Sequence, residues 1–207
     1  DQSDLFSFMT GRDHLKLYAN LWHNNPQKVK DIISTLKMET YIDRKVETYS
    51  LGMKQRLCFA MVVATNTSVM LLDEVMNGLD PQNVQLISQV LLNLRAQGKL
   101  IIMASHLLQN LQQYADQVLF LKNGRIIKNL NNKAETKKYL EFNNSSLIND
   151  ILEESNYQIL PNQTILLPID ELNPDKFDSI IHILLENNVS FTVRKISLED
   201  LFNKFYG

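Results

Sequence analysis

Through the first third of the chain, apolar residues recur at helical spacing. Thr10 stands where an N-cap would, ahead of Leu15, Leu17, Tyr18, Leu21 and Trp22, and predicts a first helix. Pro26 opens a second, with Val29, Ile32, Ile33 and Leu36 on one face. A polar stretch after Lys37 leads into YSLGMKQR, Tyr49 to Arg56, where Ser50 is the N-cap and Leu57, Met61 and Ala64 follow at helical spacing. From residue 68 the pattern changes to short continuous apolar runs: VMLL (69–72), LIIMA (100–104) and VLFL (118–121). A helix starting at Asp80-Pro81 and stopping at Gly98 separates the first two, and LLQNLQQYA separates the second and third. Apolar runs without polar alternation, joined by helices, predict a buried parallel sheet. Lys122-Asn123-Gly124 predicts a tight hairpin turn into RII. Residues 128–150, rich in Asn, Lys and Ser, read as a linker with a weak helix around Glu135 to Glu141. The rest reads strand (TILLPI), helix (PDKFDSIIHILLENN), strand (SFTVRK), helix (SLEDLFNKFY). That β-α-β-α unit is too small to bury much alone, so it should pack on the main domain or on a second copy.

Composition narrows the class without choosing a function. The 207 residues carry 21 basic and 23 acidic side chains, net charge −2, which gives no electrostatic reason to expect nucleic acid as a partner. The single Cys58 lies in an apolar run and reads as a small core residue in a reducing compartment. No apolar stretch approaches the ~18 residues that span a bilayer, so any membrane role is expected through a partner. The chain opens on DQSDLF without a methionine, which reads as a processed or truncated form.

The candidate chemistry centres on phosphate. Asp73 and Glu74 end the VMLL strand, and ligands of open α/β sheets bind beyond such strand ends. One carboxylate there can hold Mg²⁺ through water, and a second can polarise an attacking water. His106 ends the next apolar run; if the strands are neighbours, its imidazole lies near Glu74 and can donate to a phosphate oxygen. His14, His23 and His182 fall inside helices and read as ordinary structural residues. The free N–H groups at the start of the YSLGMKQR helix favour an anion. Ser50 adds a hydroxyl there and Gly52 permits close backbone approach. A strand ending in two solvated acids, or an ordinary capped helix, would account for either feature taken singly.

In order, SLGMKQR, then DE with Asp73 23 positions after Ser50, then NGLDP (77–81) and SH (105–106) form a set. This set resembles the nucleotide-binding subunit of an ATP-binding-cassette (ABC) transporter over residues 1 to about 127. The opening FMTGRDHLKLYA and the ending SLEDLFNKFYG are similar to the bacitracin-resistance and lantibiotic-immunity exporters of that family. The resemblance implies an α/β, P-loop-NTPase-like parallel sheet core with a helical subdomain and a small C-terminal β-α-β-α appendage. The corresponding divisions are residues 1–67 (helical subdomain with the signature), 68–128 (α/β ATPase core), 129–150 (linker) and 151–207 (accessory domain).

By that resemblance Glu74 is the general base, Asp73 serves Mg²⁺ through water, and His106 contacts the γ-phosphate of ATP. Ser50, Leu51, Gly52, Met53 and Gln55 are the signature residues, facing ATP held by a second copy. Asn77, Gly78, Leu79 and Asp80 form the D-loop, and Asp1 or Gln2 takes the Q-loop position, with Asp1 preferred. The implied activity is transport-coupled ATP hydrolysis exporting a drug or antimicrobial peptide. The implied partners are a second nucleotide-binding subunit and a membrane permease, which would hold the protein on the cytoplasmic face of the membrane. Three features depart from the family pattern. Leu51 and Met53 stand in place of the commoner Leu-Ser-Gly-Gly-Gln residues, and Val75-Met76 replaces Pro-Thr, which could loosen the loop presenting Glu74. The Gly-rich phosphate loop ending in Gly-Lys-Ser/Thr is not among the 207 residues, so the chain alone is expected to turn over little or no ATP. The alternative is a non-catalytic, degenerate interaction protein that lends its signature helix to a complete partner.

Overall fold

Local start signals set the helices of the first half. The computed structural model describes residues 2–24, 27–131, 137–143, 156–160 and 162–206. The chain divides into two compact units, Asp1–His106 and Leu107–Gly207.

In the first unit, α1 (Gly11–Leu21) opens on a capping box: Thr10 Oγ1 accepts the Asp13 N–H, and the Asp13 carboxylate accepts the Thr10 N–H. Its buried residues include Leu15, Ala19 and His14, whereas Leu21 and Trp22, expected on the same face, are exposed. His14 is a satisfied core histidine: the Phe6 N–H donates to Nε2 at 3.0 Å, and Nδ1 lies 2.8 Å from the Thr10 carbonyl. Gly11 is required sterically, because a Cβ there would meet Tyr49 Oη at 2.5 Å. Next come α2 (Gln27–Thr35), burying Val29 and Ile33, and α3 (Leu51–Thr65), burying Leu57, Phe59, Ala60, Met61 and Ala64. Pro26, expected to open α2, lies outside the described residues.

Strand β1 (Val69–Asp73) runs parallel to β2 (Leu100–Ala104), in register from Val69↔Leu100 to Asp73↔Ala104. Between them lies α4 (Pro81–Ala96), capped by Asp80 with Pro81 in its first turn. Continuous apolar runs predicted burial on both faces; among the described residues only one face is covered. Met70 and Leu72 are buried, while Val69, Leu71, Leu100 and Ile102 are 50, 72, 56 and 53 % exposed. The register sets Val69 beside Leu100 and Leu71 beside Ile102, so these four make one continuous apolar patch.

In the second unit, α5 (Leu108–Tyr114) precedes β3 (Gln117–Lys122), which turns back into β4 (Arg125–Asn131). Asn123 and Gly124, at φ 51° and 72°, make the predicted hairpin turn. The VLFL run therefore pairs antiparallel with β4 and not as a third parallel strand, because the two-residue turn feeds it an immediate neighbour. A second correction concerns the weak helix expected around Glu135 to Glu141. Residues 132–136 lie outside the described residues, but Lys138–Asn143 is β5, an inner strand of the order β6-β7-β5-β8. Its neighbours are β6 (Gln158–Ile159), β7 (Thr164–Pro168) and β8 (Phe191–Lys195), all pairings antiparallel.

That sheet is covered on both faces, which explains why all five residues of TILLP are buried. Leu140, Phe142, Ile165 and Leu167 pack with Ile180 and Leu184 of α6 (Pro174–Glu186). Tyr139 and Leu166 pack with Val118, Phe120 and Leu130 of the hairpin and with Leu198 and Leu201 of α7 (Leu198–Tyr206). The C-terminal β-α-β-α run thus finds its cover in the β3–β4 hairpin and β5. Among the described residues no helix is long and apolar enough to cross a membrane.

Candidate active site

The parallel pairing brings the ends of β1 and β2 side by side. The Glu74 N–H donates to the Ala104 carbonyl at 3.0 Å, one residue past the strand, and His106 Nδ1 lies 2.8 Å from Glu74 Oε2. Glu74 has φ +47°, the left-handed region that a side chain rarely adopts. The chain then folds into a tight turn, with the Asn77 N–H donating to the Glu74 carbonyl at 2.9 Å. Val75 and Met76 are buried at 6 and 2 % exposure, so packing replaces the φ restriction that a proline would supply to this loop.

An open cleft of about 850 Å³ lies against this turn. Its lining includes Gln2, Leu51, Gln55, Asp73, Glu74, Asn77 and Gly78, which brings together members of four predicted motifs. Ser50, Gly52, Met53, Leu79, Asp80 and His106 are not part of that lining. Asp1 lies outside the described residues.

The start of α3 is built as the sequence suggested: Ser50 Oγ accepts the Met53 N–H at 3.3 Å. The N–H groups of Leu51 and Gly52, the first helical residues, have no intrahelical acceptor and remain available to an anion. Ser50 and Leu51 are exposed. A Cβ at Gly78, which has φ +70°, would meet Leu51 Cδ2 at 3.4 Å, so the signature-like helix start sits on the 77–80 loop of the same chain. A Cβ at Gly52 would meet only Leu79 Cδ2 at 3.6 Å, an ordinary contact.

Gln55 is one of the residues that the resemblance assigns to ATP held by a second copy. Its side chain turns toward Glu74: Nε2 donates to the Glu74 and Val75 carbonyls at 3.2 and 3.1 Å, and Oε1 accepts from Gln2 Nε2 at 2.5 Å. Gln55 follows Leu51 by four residues, on the same helix face, and that spacing was the one sequence signal that could have placed it over the loop. Arg56 was also missed: it donates to Asn83, to the Leu36 and Lys37 carbonyls, and lies 6.0 Å from the centre of the Tyr41 ring. The Asp80 carboxylate accepts the Asn83 backbone N–H at 2.9 Å and Asn83 Nδ2 at 2.6 Å. The backbone bond is the main cause holding its pKa below the usual carboxylate value. Cys58 also lines the cleft, and burial pushes its thiol up, which keeps it protonated and a poor nucleophile.

Asp73 and Glu74 suit a hydrated magnesium ion, which needs only one or two carboxylates when phosphate and water supply the other ligands. Among the described residues no group of three or more His, Cys, Asp or Glu could form an all-protein metal cage.

Residues 1–77 match the family model described as ABC transporter. The chain is 27% identical over 210 residues to an uncharacterized ABC transporter ATP-binding protein, YcbN, of Bacillus subtilis, covering 95% of this chain and 67% of that protein. It is 28% identical over 149 residues to the lantibiotic transport ATP-binding protein SrtF of Streptococcus pyogenes, covering 71% of this chain and 64% of that one. A solved ATP-binding subunit of an ABC transporter superposes with a TM-score of 0.57 at 22% identity, over 61% of this chain and 55% of that chain. The chain therefore spans between about half and two thirds of the length of these proteins.

Proposed function

From the premise that this chain belongs to the ATP-binding domains of ABC transporters, with their α/β P-loop-NTPase-like fold, we propose that it is part of the ATP-hydrolysing subunit of a bacterial exporter. The observation that carries the reading is the juxtaposition of Glu74 and His106 at the ends of two parallel strands, beside the cleft lined by Asp73 and Gln55. In this reading Glu74 orients the attacking water and takes its proton, while His106 steadies the carboxylate and meets the terminal phosphate. General-base assistance of this kind is worth roughly 10²–10⁴-fold. Asp73 would hold a hydrated Mg²⁺, which when bound offsets phosphate charge.

The helix start, with Ser50 and Leu51 exposed, supports an anion contact made in trans, to ATP held by a second copy. Closure of that pair would drive a permease, with this subunit peripheral on the inner face of the membrane. A peptide antibiotic or drug is the proposed cargo, supported by the likeness to the lantibiotic transport protein.

The test is ATP turnover by the complete gene product with its permease, comparing Glu74→Gln with the parent. Glu74→Gln is expected to lower kcat at least about 100-fold with ATP still bound. Unchanged turnover would remove Glu74 from the base role.

A further inference from the structure

We infer that Gln55 is a positioning residue that sets the backbone of Glu74, and hence the direction of its carboxylate, under the control of Gln2; this rests on the ATPase reading above. The Gln55 amide is used at both ends. Its two N–H hydrogens go to the successive carbonyls of Glu74 and Val75, at 3.2 and 3.1 Å, and its oxygen accepts from Gln2 at 2.5 Å. A flipped amide would set oxygen against two carbonyl oxygens and nitrogen against a donor, so one orientation is enforced.

What it holds is the strained part of the site. Glu74 is in the left-handed region at φ +47°, a conformation that persists only where the surroundings over-determine it. The Ala104 carbonyl fixes its N–H and the Asn77 N–H binds its carbonyl. Gln55 adds a grip from a different element, α3, on the Glu74 and Val75 carbonyls. Rotation about the Glu74 backbone swings the carboxylate away from His106, and an error of about 1 Å in such a group costs on the order of 100-fold in rate. Gln2 lies at the head of the chain in a short 3-10 helix, Gln2–Asp4, so a shift of that helix would act on Glu74 through one side chain.

A nucleotide ligand and a positioning residue leave different kinetic marks. In the complete gene product, Gln55→Met keeps the side-chain length and removes the amide. It is expected to lower kcat about 10- to 100-fold while the Kd for ATP stays within about twofold. In a Glu74→Gln background the same change is expected to add less than about twofold, because the group being positioned is already gone. Gln2→Ala, which removes the bond to Oε1, is expected to act in the same direction with a smaller loss. Independently of turnover, hydrogen exchange at the Asn77 amide, which is bonded to the Glu74 carbonyl, is expected to quicken in Gln55→Met at unchanged melting temperature. A raised Kd with kcat retained would make Gln55 a nucleotide ligand and overturn the inference, as would unchanged kcat or unchanged Asn77 exchange. Absence of turnover in the parent protein would defeat the ATPase reading instead, and the exchange measurement would then decide the role of Gln55 by itself.

Discussion

Glu74 is at once the proposed base and a residue in an unfavourable backbone conformation. An L-residue in the left-handed region costs about 1–2 kcal/mol, and glycine avoids that cost at some expense in unfolded-chain entropy. The contact with His106 joins two side chains that are each more than one-third exposed, so its loss subtracts little. Glu74→Gly is therefore expected to abolish turnover and yet stabilise the first unit by up to ~1 kcal/mol. The check is a higher urea midpoint at unchanged slope. A lower midpoint would mean that the Glu74 side chain contributes more to folding than its backbone costs. None of this was legible in the sequence. A motif gives residue identity and order, while a positive φ is set by Ala104, Asn77 and Gln55, which meet Glu74 only after the strands pair and α3 docks.

At the scale of elements, legibility follows the sequence distance of the interactions that define each one. Thr10, Ser50, Asp80 and Asn173 each cap a helix by binding an N–H three residues on, and the Asn123-Gly124 turn is equally local. The first three caps and the turn could be read from residue types. Strand β5 could not, because KYLEFN sits in a polar stretch and its partners, β7 and β8, lie more than twenty residues away.

Beside the packing of Tyr139 and Leu166 on Leu198 and Leu201, one guanidinium ties those strands to α7. Arg194 of β8 donates to Glu141 of β5 through Nε (2.6 Å) and Nη2 (3.1 Å), and to Asp200 of α7 through Nη1 (2.5 Å) and Nη2 (3.1 Å). The bonds to Arg194 hold the Glu141 carboxyl below its usual range. For Asp200, burial pushes the other way but is outweighed by Arg194 and Ser197, so its pKa is lowered as well. Folded pKa values below the unfolded ones mean that the unfolded chain binds more protons in acid. The stability from this cluster is thus fully present above about pH 4.5 and is lost as pH falls through the depressed values. Arg194→Leu is expected to cost the second unit roughly 2–3 kcal/mol at pH 7, and less at pH 3, because the parent's unfolded chain takes up protons there that its folded cluster resists. Denaturant titrations at the two pH values measure this, and an equal loss at both would show that Arg194 acts through packing alone.

For the whole molecule, the α/β class and the parallel β1–β2 pair were legible because continuous apolar runs separated by capped helices have few other solutions. The expectation of burial on both faces was not met, because residue type reports what a face would favour and not what covers it. The patch of Val69, Leu71, Leu100 and Ile102 has a consequence for how this 207-residue chain can be handled. A solvent-facing apolar surface on a parallel pair is a surface that a second molecule can satisfy. Association then makes the melting temperature a property of the solution and not of the chain alone. The apparent Tm is expected to rise with protein concentration and to become concentration-independent in a Leu71→Lys, Ile102→Glu double variant, which light scattering should find monomeric. A Tm that is flat with concentration in the parent chain would mean the patch is closed intramolecularly in solution, and that stability values for this chain can be compared across preparations without fixing its concentration.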